Sequence, residues 1–350
     1  MVKREGIEKY LKGLFGEGAV LRDFSPLGAG VHGTGFSVVI EINGETKRLV
    51  LKDLSGEGLG HDLPSDRASV FIWAKDNYGD LPKHIKAVDV AMLKADDSIQ
   101  SIGGGKEYYL LMEEAQGINY FNDLEAMSRK ETLDENDRTK IYLMTEYLAE
   151  IHSVKKDSKI FYWRKLRDTI GHGECLMGVF DTYPDGTLSY EEMAEIEKLC
   201  IDWRVRLKPR SYRLCQIHGD FHPGNIWFKT VVDFILLDRS RGPWGDAADD
   251  VTALTINYIF FSINHHGKLH GAYLEAMKLF YEEYLRRTQD FELYEVVAPF
   301  FAFRGVVVAN PIFYPKVTPE NRKRIFNFVR GVLRDSSFNV ERVNEYIKHR

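Results

Sequence analysis

His218-Gly219-Asp220-Phe221-His222-Pro223-Gly224-Asn225 is the stretch from which the rest of this chain can be read. It is a tight loop, with a glycine before Asp220 and Pro223-Gly224 after it, set between two short apolar runs. A carboxylate at its ordinary pKa is ionised at neutral pH and can accept a hydrogen bond from an alcohol. Asn225 adds a carbonyl oxygen. Asp238, thirteen residues further on at the end of the apolar run Phe234 to Leu237, adds a second carboxylate. Hard oxygen ligands of this kind suit Mg²⁺, which completes its shell with water and phosphate oxygens. A base, two oxygen ligands and a metal are the parts phosphoryl transfer requires, because catalysis there is mostly positioning and charge neutralisation.

Upstream lie the parts that would hold a nucleotide. Gly28-Ala29-Gly30-Val31-His32-Gly33-Thr34-Gly35 joins two predicted strands, and its glycines let backbone N–H groups approach a phosphate closely. Alone, this segment reads equally as a hairpin tip. Lys52 ends the run Arg48-Leu49-Val50-Leu51-Lys52, where a lysine is unusual unless it faces a cleft. Downstream, Gly245-Asp246-Ala247-Ala248-Asp249-Asp250 reads as the acidic start of a helix, with Asp246 as its N-cap.

This order of parts resembles the aminoglycoside phosphotransferase and choline kinase family, within the protein-kinase-like fold. His218 to Asn225 matches the family loop H-G-D-x-x-x-x-N. Gly245, Asp246, Asp250 and Val251 match its G-D-x-x-x-D-[LV] signature, which packs beneath the active site. The resemblance implies an α+β fold of two lobes, a β-rich N-lobe over residues 1–114 and a mainly helical C-lobe over residues 115–350. ATP is expected against the connector that begins at Glu113. The resemblance implies Asp220 as base, Asn225 and Asp238 as ligands of Mg²⁺, and Lys52 with Gly28, Gly30 and Gly33 at the phosphates. There are departures. The glycine segment has one glycine more than usual and contains His32. The acidic partner expected for Lys52 would be Asp62 or Asp66, where Glu is more common, and either could cap a helix instead.

Element by element, a helix is expected over Ile7 to Phe15. Strands are expected at Val20 to Leu27, Phe36 to Ile42 and Lys47 to Leu54, with Asn43-Gly44 as a hairpin turn. A helix over Ser65 to Asn77 follows. Strands at Lys86 to Leu93 and Tyr108 to Glu113, joined by Gly103-Gly104-Gly105, would complete a five-stranded sheet. Beyond Gly117 the spacing is helical, with Ile141, Met144, Leu148 and Ile151 on one face. Ser189 and Glu192 form a capping box, and a short β island interrupts the helices between Arg213 and Leu237.

With 350 residues, 44% apolar and 28% charged, the chain is ordinary for a globular protein of more than one core. A net charge of -5 leaves no basic field for nucleic acid or anionic membrane. Cys175, Cys200 and Cys215 build neither a disulfide framework nor a zinc site, which fits a cytoplasmic protein. The expected partner is a small molecule bearing a hydroxyl, such as a sugar, amino sugar, amino alcohol or aminoglycoside. The expected assembly is a monomer or homodimer. Rival readings are a protein kinase, a catalytically silent nucleotide-binding regulator, and a metallohydrolase with His218, Asp220 and His222 as ligands. The cluster Trp163 to Arg167 and the Gly-flanked His172 read equally as acceptor contacts or as surface.

Overall fold

The Asn43-Gly44 pair turns the chain with φ of 51° and 85°, and Ile42 then pairs with Glu45. Positive φ at both residues matches the right-handed twist of the flanking strands, which is why Asn-Gly makes the tightest hairpins. The structure is a computed structural model. It describes residues 3–348 except 31, 32, 57, 58, 81 and 240. Two compact units divide the chain at Met112 and Glu113.

The first unit opens with α1 (Arg4–Phe15), followed by β1 (Val20–Gly30), β2 (Gly33–Ile42) and β3 (Glu45–Lys52), an antiparallel meander in the order β1-β2-β3. Ile7 and Leu11, one helical turn apart, lie on one face of α1 and are buried with Leu21, Val38 and Ile40. Val38 and Ile40 alternate with less buried neighbours, the period-two pattern of a half-covered sheet. Gly33 cannot be replaced freely: with φ 156°, a Cβ there would stand 2.1 Å from the Asp53 carbonyl oxygen.

After α2 (Pro64–Asn77), the expected five-stranded sheet gives way to a separate two-stranded hairpin, β4 (Ala91–Leu93) with β5 (Ile99–Ser101). The turn is at Lys94 to Ser98 rather than at the three glycines. Asp96 accepts hydrogen bonds from the Ser98 N–H and hydroxyl, and Asp97 adopts a φ of 64°. The strand expected at Tyr108 to Glu113 does not form. Residues 99–101 already occupy the pairing edge of β4, and an extended run without a ladder partner is no strand. Its side chains are exposed, Leu111 at 98%.

The second unit is mainly helical. It runs through β6 (Ile118–Asn119), α3 (Phe121–Met127), α4 (Glu135–Ser153), α5 (Lys159–Gly171), α6 (Leu176–Phe180) and α7 (Tyr190–Leu207). The β island follows as β7 (Cys215–Gln216), β8 (Ile226–Thr230), β9 (Asp233–Leu236) and β10 (Trp244–Gly245). It forms two small sheets, β6-β8-β9 and β10-β7. The chain continues with α8 (Ala247–His266), α9 (Gly271–Thr288), α10 (Ala298–Ala309), α11 (Pro319–Arg334) and α12 (Val343–Lys348).

Local chemistry sets the helix starts. Ser189 and Glu192 exchange side-chain and backbone hydrogen bonds at 3.2 and 3.0 Å, the reciprocal capping box expected at the head of α7. Ile196, Cys200, Trp203 and Leu207 then form its buried face. Helices α8 and α10 are buried almost all round, as befits helices at the centre of a core. No helix among the described residues is long and apolar enough to cross a membrane.

Candidate active site

Asp250 anchors the loop that begins at His218. Its two carboxylate oxygens accept the N–H groups of His218 and Gly219, each at 2.7 Å. His152, at the end of α4, lies 3.2 Å from Asp250 Oδ2 and 2.8 Å from the Tyr284 hydroxyl. Asp246 N-caps α8 through the Ala248 N–H and also holds Arg213 and the Tyr162 hydroxyl. Burial raises the Asp246 pKa, but the Arg213 guanidinium outweighs it and holds the group below its ordinary value. Of the three aspartates of the Gly245 to Asp250 segment, Asp250 supports the loop from beneath and Asp246 ties the head of α8 to Arg213 and Tyr162; both are wholly buried.

Above them, Asp220 is 6% exposed. Arg304, on α10, places Nη1 2.5 Å from Asp220 Oδ1 and Nη2 2.9 Å from the Gly219 carbonyl oxygen. The same guanidinium donates to Asp249 Oδ1 at 2.8 Å, and Lys165 from α5 pairs with the other Asp249 oxygen. Arg241 Nη1 stands 3.7 Å from Asp220 Oδ1, and His222 Nε2 stands 3.9 Å from Oδ2. Among the described residues no hydrogen bond reaches Asp220 Oδ2, so this oxygen is left for an incoming proton. Burial alone would raise the Asp220 pKa; the charges of Arg304 and Arg241 prevail and lower it. Burial lowers the His222 pKa from its ordinary 6.5 despite the nearby carboxylate, so His222 is neutral at pH 7.

Burial likewise raises the Asp249 pKa, and Lys165 and Arg304 bring it down to about 2. A carboxylate with a depressed folded-state pKa contributes stability that is whole above its unfolded value, near 3.8, and is lost as pH falls through the folded value. Asp220 and Asp246 act in the same direction. Urea midpoints should therefore be unaffected by these groups between pH 7 and 5 and fall steeply between about pH 4 and 2, with Asp249 alone contributing roughly 2 kcal/mol. A midpoint that holds steady down to pH 2 would contradict this ion-pair network.

The loop residues differ in what they do locally. His218 Nδ1 accepts from the Asp220 N–H at 3.2 Å and His222 Nδ1 from the Gly224 N–H at 3.1 Å. Both rings are thus tied to the loop's own backbone, and no group of three His, Cys, Asp or Glu side chains among the described residues is arranged to hold a metal ion. Asn225 donates Nδ2–H to the Asp220 carbonyl oxygen at 3.0 Å, which leaves its own carbonyl oxygen as a donor atom for a cation. The Leu237 N–H meets the Asn225 backbone carbonyl at 3.0 Å, so Asp238 follows the residue bonded to Asn225. Asp238 is exposed and has a left-handed φ of 52°. Two hard oxygen donors on adjoining segments fit a small divalent cation.

In the first unit, Lys52 ends β3 opposite Gly35 and is exposed. Gly28 and Gly33, with φ of 129° and 156°, flank the turn, and Gly30 ends β1. Val31 and His32 lie outside the described residues. Asp66 accepts the Leu63 N–H at 2.7 Å, the helix-capping alternative. Glu113 is exposed at the start of the second unit. The Trp163 to Arg167 cluster belongs to α5. Trp163 donates to the Lys208 carbonyl, Arg164 and Arg167 pair with Asp168, and Lys165 is the buried partner of Asp249. His172 is an exposed C-cap.

Arg304 escaped the sequence reading. Its signal was a lone charge in the otherwise apolar helix Ala298–Ala309, 84 residues from Asp220. A cavity of about 810 Å³ elsewhere in the second unit does not include the loop. Its charged walls are self-paired, Arg330 with Glu192 and Glu195.

A family model described as the phosphotransferase enzyme family matches residues 83–291, more than half of the chain. No curated protein matches significantly. Among solved structures, aminoglycoside phosphotransferase APH(4)-Ia is 14% identical, with 95% of this chain and 99% of that chain covered and a TM-score of 0.40. Amicoumacin kinase hAmiN, in complex with AMP-PNP, Ca²⁺ and Ami, is 12% identical over 97% of both chains, with a TM-score of 0.43. An ethanolamine kinase of Plasmodium vivax is 11% identical over 97% of this chain and 84% of that chain, with a TM-score of 0.36.

Proposed function

The chain belongs to the phosphotransferase enzyme family, and from that premise we propose that it moves the γ-phosphoryl group of ATP to a hydroxyl of a small molecule, with Asp220 as the base. The observation that carries the reading is the fixation of Asp220. Its loop hangs on Asp250, its Oδ1 is tied to Arg304, and its Oδ2 remains free among the described residues.

The acceptor's oxygen forms a bond to the γ-phosphorus while the bond from that phosphorus to the β–γ bridging oxygen breaks. ADP leaves with the bonding pair, and the acceptor's proton passes to Asp220 Oδ2. A carboxylate whose pKa is held low is a weak base, which suffices where the transition state is loose and proton transfer comes late. Arg304 holds the carboxylate in one rotamer, so the acceptor's hydroxyl meets a preset partner. Asn225 and Asp238 would hold Mg²⁺, which when bound neutralises charge on the phosphates. Lys52 and the backbone at Gly28, Gly30 and Gly33 would contact the nucleotide phosphates, and the segment at Glu113 would take the base.

The test is Mg-dependent ADP release from ATP across neutral sugars, amino sugars, amino alcohols, hydroxy acids and aminoglycosides. Acceptor-dependent release of about 1 s⁻¹ or more is expected with at least one class. ATP that raises the melting temperature but yields no ADP with any acceptor would sink the proposal in favour of a silent nucleotide-binding protein.

A further inference from the structure

Beside Asp220 lies a small cavity of about 90 Å³, lined among others by His222, Arg241, Asn257, Arg304 and Tyr314. At ~30 Å³ per water molecule, it has room for about three waters, the size of a short polar fragment rather than a whole sugar ring. Its polar equipment is unspent. Asn257 is 3% exposed and donates Nδ2–H to the Ala253 carbonyl at 2.8 Å, yet its Oδ1 has no hydrogen-bond partner. Arg304 is 5% exposed and its Nε–H is unpaired. Arg241 lies over the Phe303 ring, and its Nε and Nη1 are buried without a hydrogen bond. Orphaned buried polar atoms carry a full desolvation cost, so a ligand that satisfies them is favoured strongly.

The sign of the wall matters most. Among the described residues the only carboxylate lining the cavity is that of Asp220, and one of its oxygens is already taken by Arg304. Two guanidiniums face it. An ammonium group placed here would meet like charge and no free acidic partner beyond the base itself. A carboxylate would find N–H groups of Arg241 that no hydrogen bond occupies, in the fork geometry that guanidinium offers to planar oxyanions.

Resting on the phosphotransfer reading above, we infer that the acceptor is a small anionic hydroxy compound of the hydroxy-acid type. Its acid group is bound by Arg241, and a further hydroxyl donates a hydrogen bond to Asn257 Oδ1. Arg241 and Asn257 then determine specificity, and a cationic amino alcohol or aminoglycoside is excluded from the pocket by charge.

The same N–H groups could instead serve the phosphoryl group in transfer, and kinetics separate the two. Wild type, Arg241→Gln and Asn257→Ala are compared with glycerate and gluconate, with glycerol and glucose, and with ethanolamine and kanamycin. ADP release and acceptor binding by calorimetry are both followed. We expect glycerate or gluconate to lead. Arg241→Gln should raise their KM by about 10- to 100-fold and that of neutral acceptors far less, so that the preference in kcat/KM for acids over neutral acceptors falls by about tenfold or more. Asn257→Ala should raise KM for polyhydroxy acceptors of either charge.

If ethanolamine or kanamycin leads, the inference is overturned while the phosphotransfer reading stands. If Arg241→Gln lowers kcat equally for every acceptor, Arg241 serves the phosphoryl group and the inference also falls. If nothing is phosphorylated but the acids bind saturably and Arg241→Gln abolishes that binding, the anionic pocket stands and the reaction is wrong. If the acids neither bind nor react, the inference falls.

Discussion

Asp220→Asn should reduce kcat by about 10²- to 10⁴-fold with the acceptor that wild type uses, while ATP still raises the melting temperature. The amide keeps the shape of the carboxylate and still offers an oxygen to Arg304 Nη1, now 2.5 Å from Oδ1. What it loses is the negative charge at Oδ2 that, on the proposed mechanism, receives the acceptor's proton. The loss should fall on kcat more than on acceptor KM, because proton acceptance is an interaction of the transition state. Single-turnover measurement with radiolabelled ATP would read it. A variant within about threefold of wild type would remove Asp220 from the chemistry and leave it a structural partner of Arg304.

Arg304→Met should cost about 3–5 kcal/mol in urea unfolding, among the largest penalties of any single substitution here. The guanidinium joins two buried carboxylates, Asp220 and Asp249, and also caps the Gly219 carbonyl. Removing it leaves Asp249 with Lys165 alone and Asp220 with only the more distant Arg241. Attraction of Arg304 to these carboxylates raises its pKa against the opposing effect of burial, so the network is mutually stabilised. Where Arg304→Met fails to fold, Arg304→Lys keeps the charge but not the fork and should lose a smaller part of the stability. In Arg304→Met the acid limb of the activity profile should move to higher pH, since less positive charge holds Asp220 ionised, and Arg304→Lys, which keeps the charge, should move it less. A variant within about 0.5 kcal/mol of wild type, with an unmoved acid limb, would show that the pair contributes nothing net.

Much of the site could be read along the chain because its parts are close in sequence. The loop from His218 to Asn225, the Gly245 to Asp250 segment and the capping box at Ser189 are contacts of short range, and local geometry restricts which residues can make them. Asn43-Gly44 is legible for the same reason. The N-terminal sheet was less so. Lys86 to Leu93 and Tyr108 to Glu113 have the composition of strands, but whether such a run pairs depends on which edge is free. Ile99 to Ser101 takes that edge instead.

The sequence alone therefore determined the family of this protein and singled out the loop from His218 to Asn225 that we propose carries its chemistry, since these depend on residue types at fixed short spacings. Tertiary structure alone decided the charge environment of Asp220. Arg304, Lys165, Arg241 and Asn257 come from four separate segments, and only the burial of α8 and α10 brings them around Asp220 and Asp249. Buried charges must find partners wherever the fold supplies them, and no periodicity along the chain records which partner that will be.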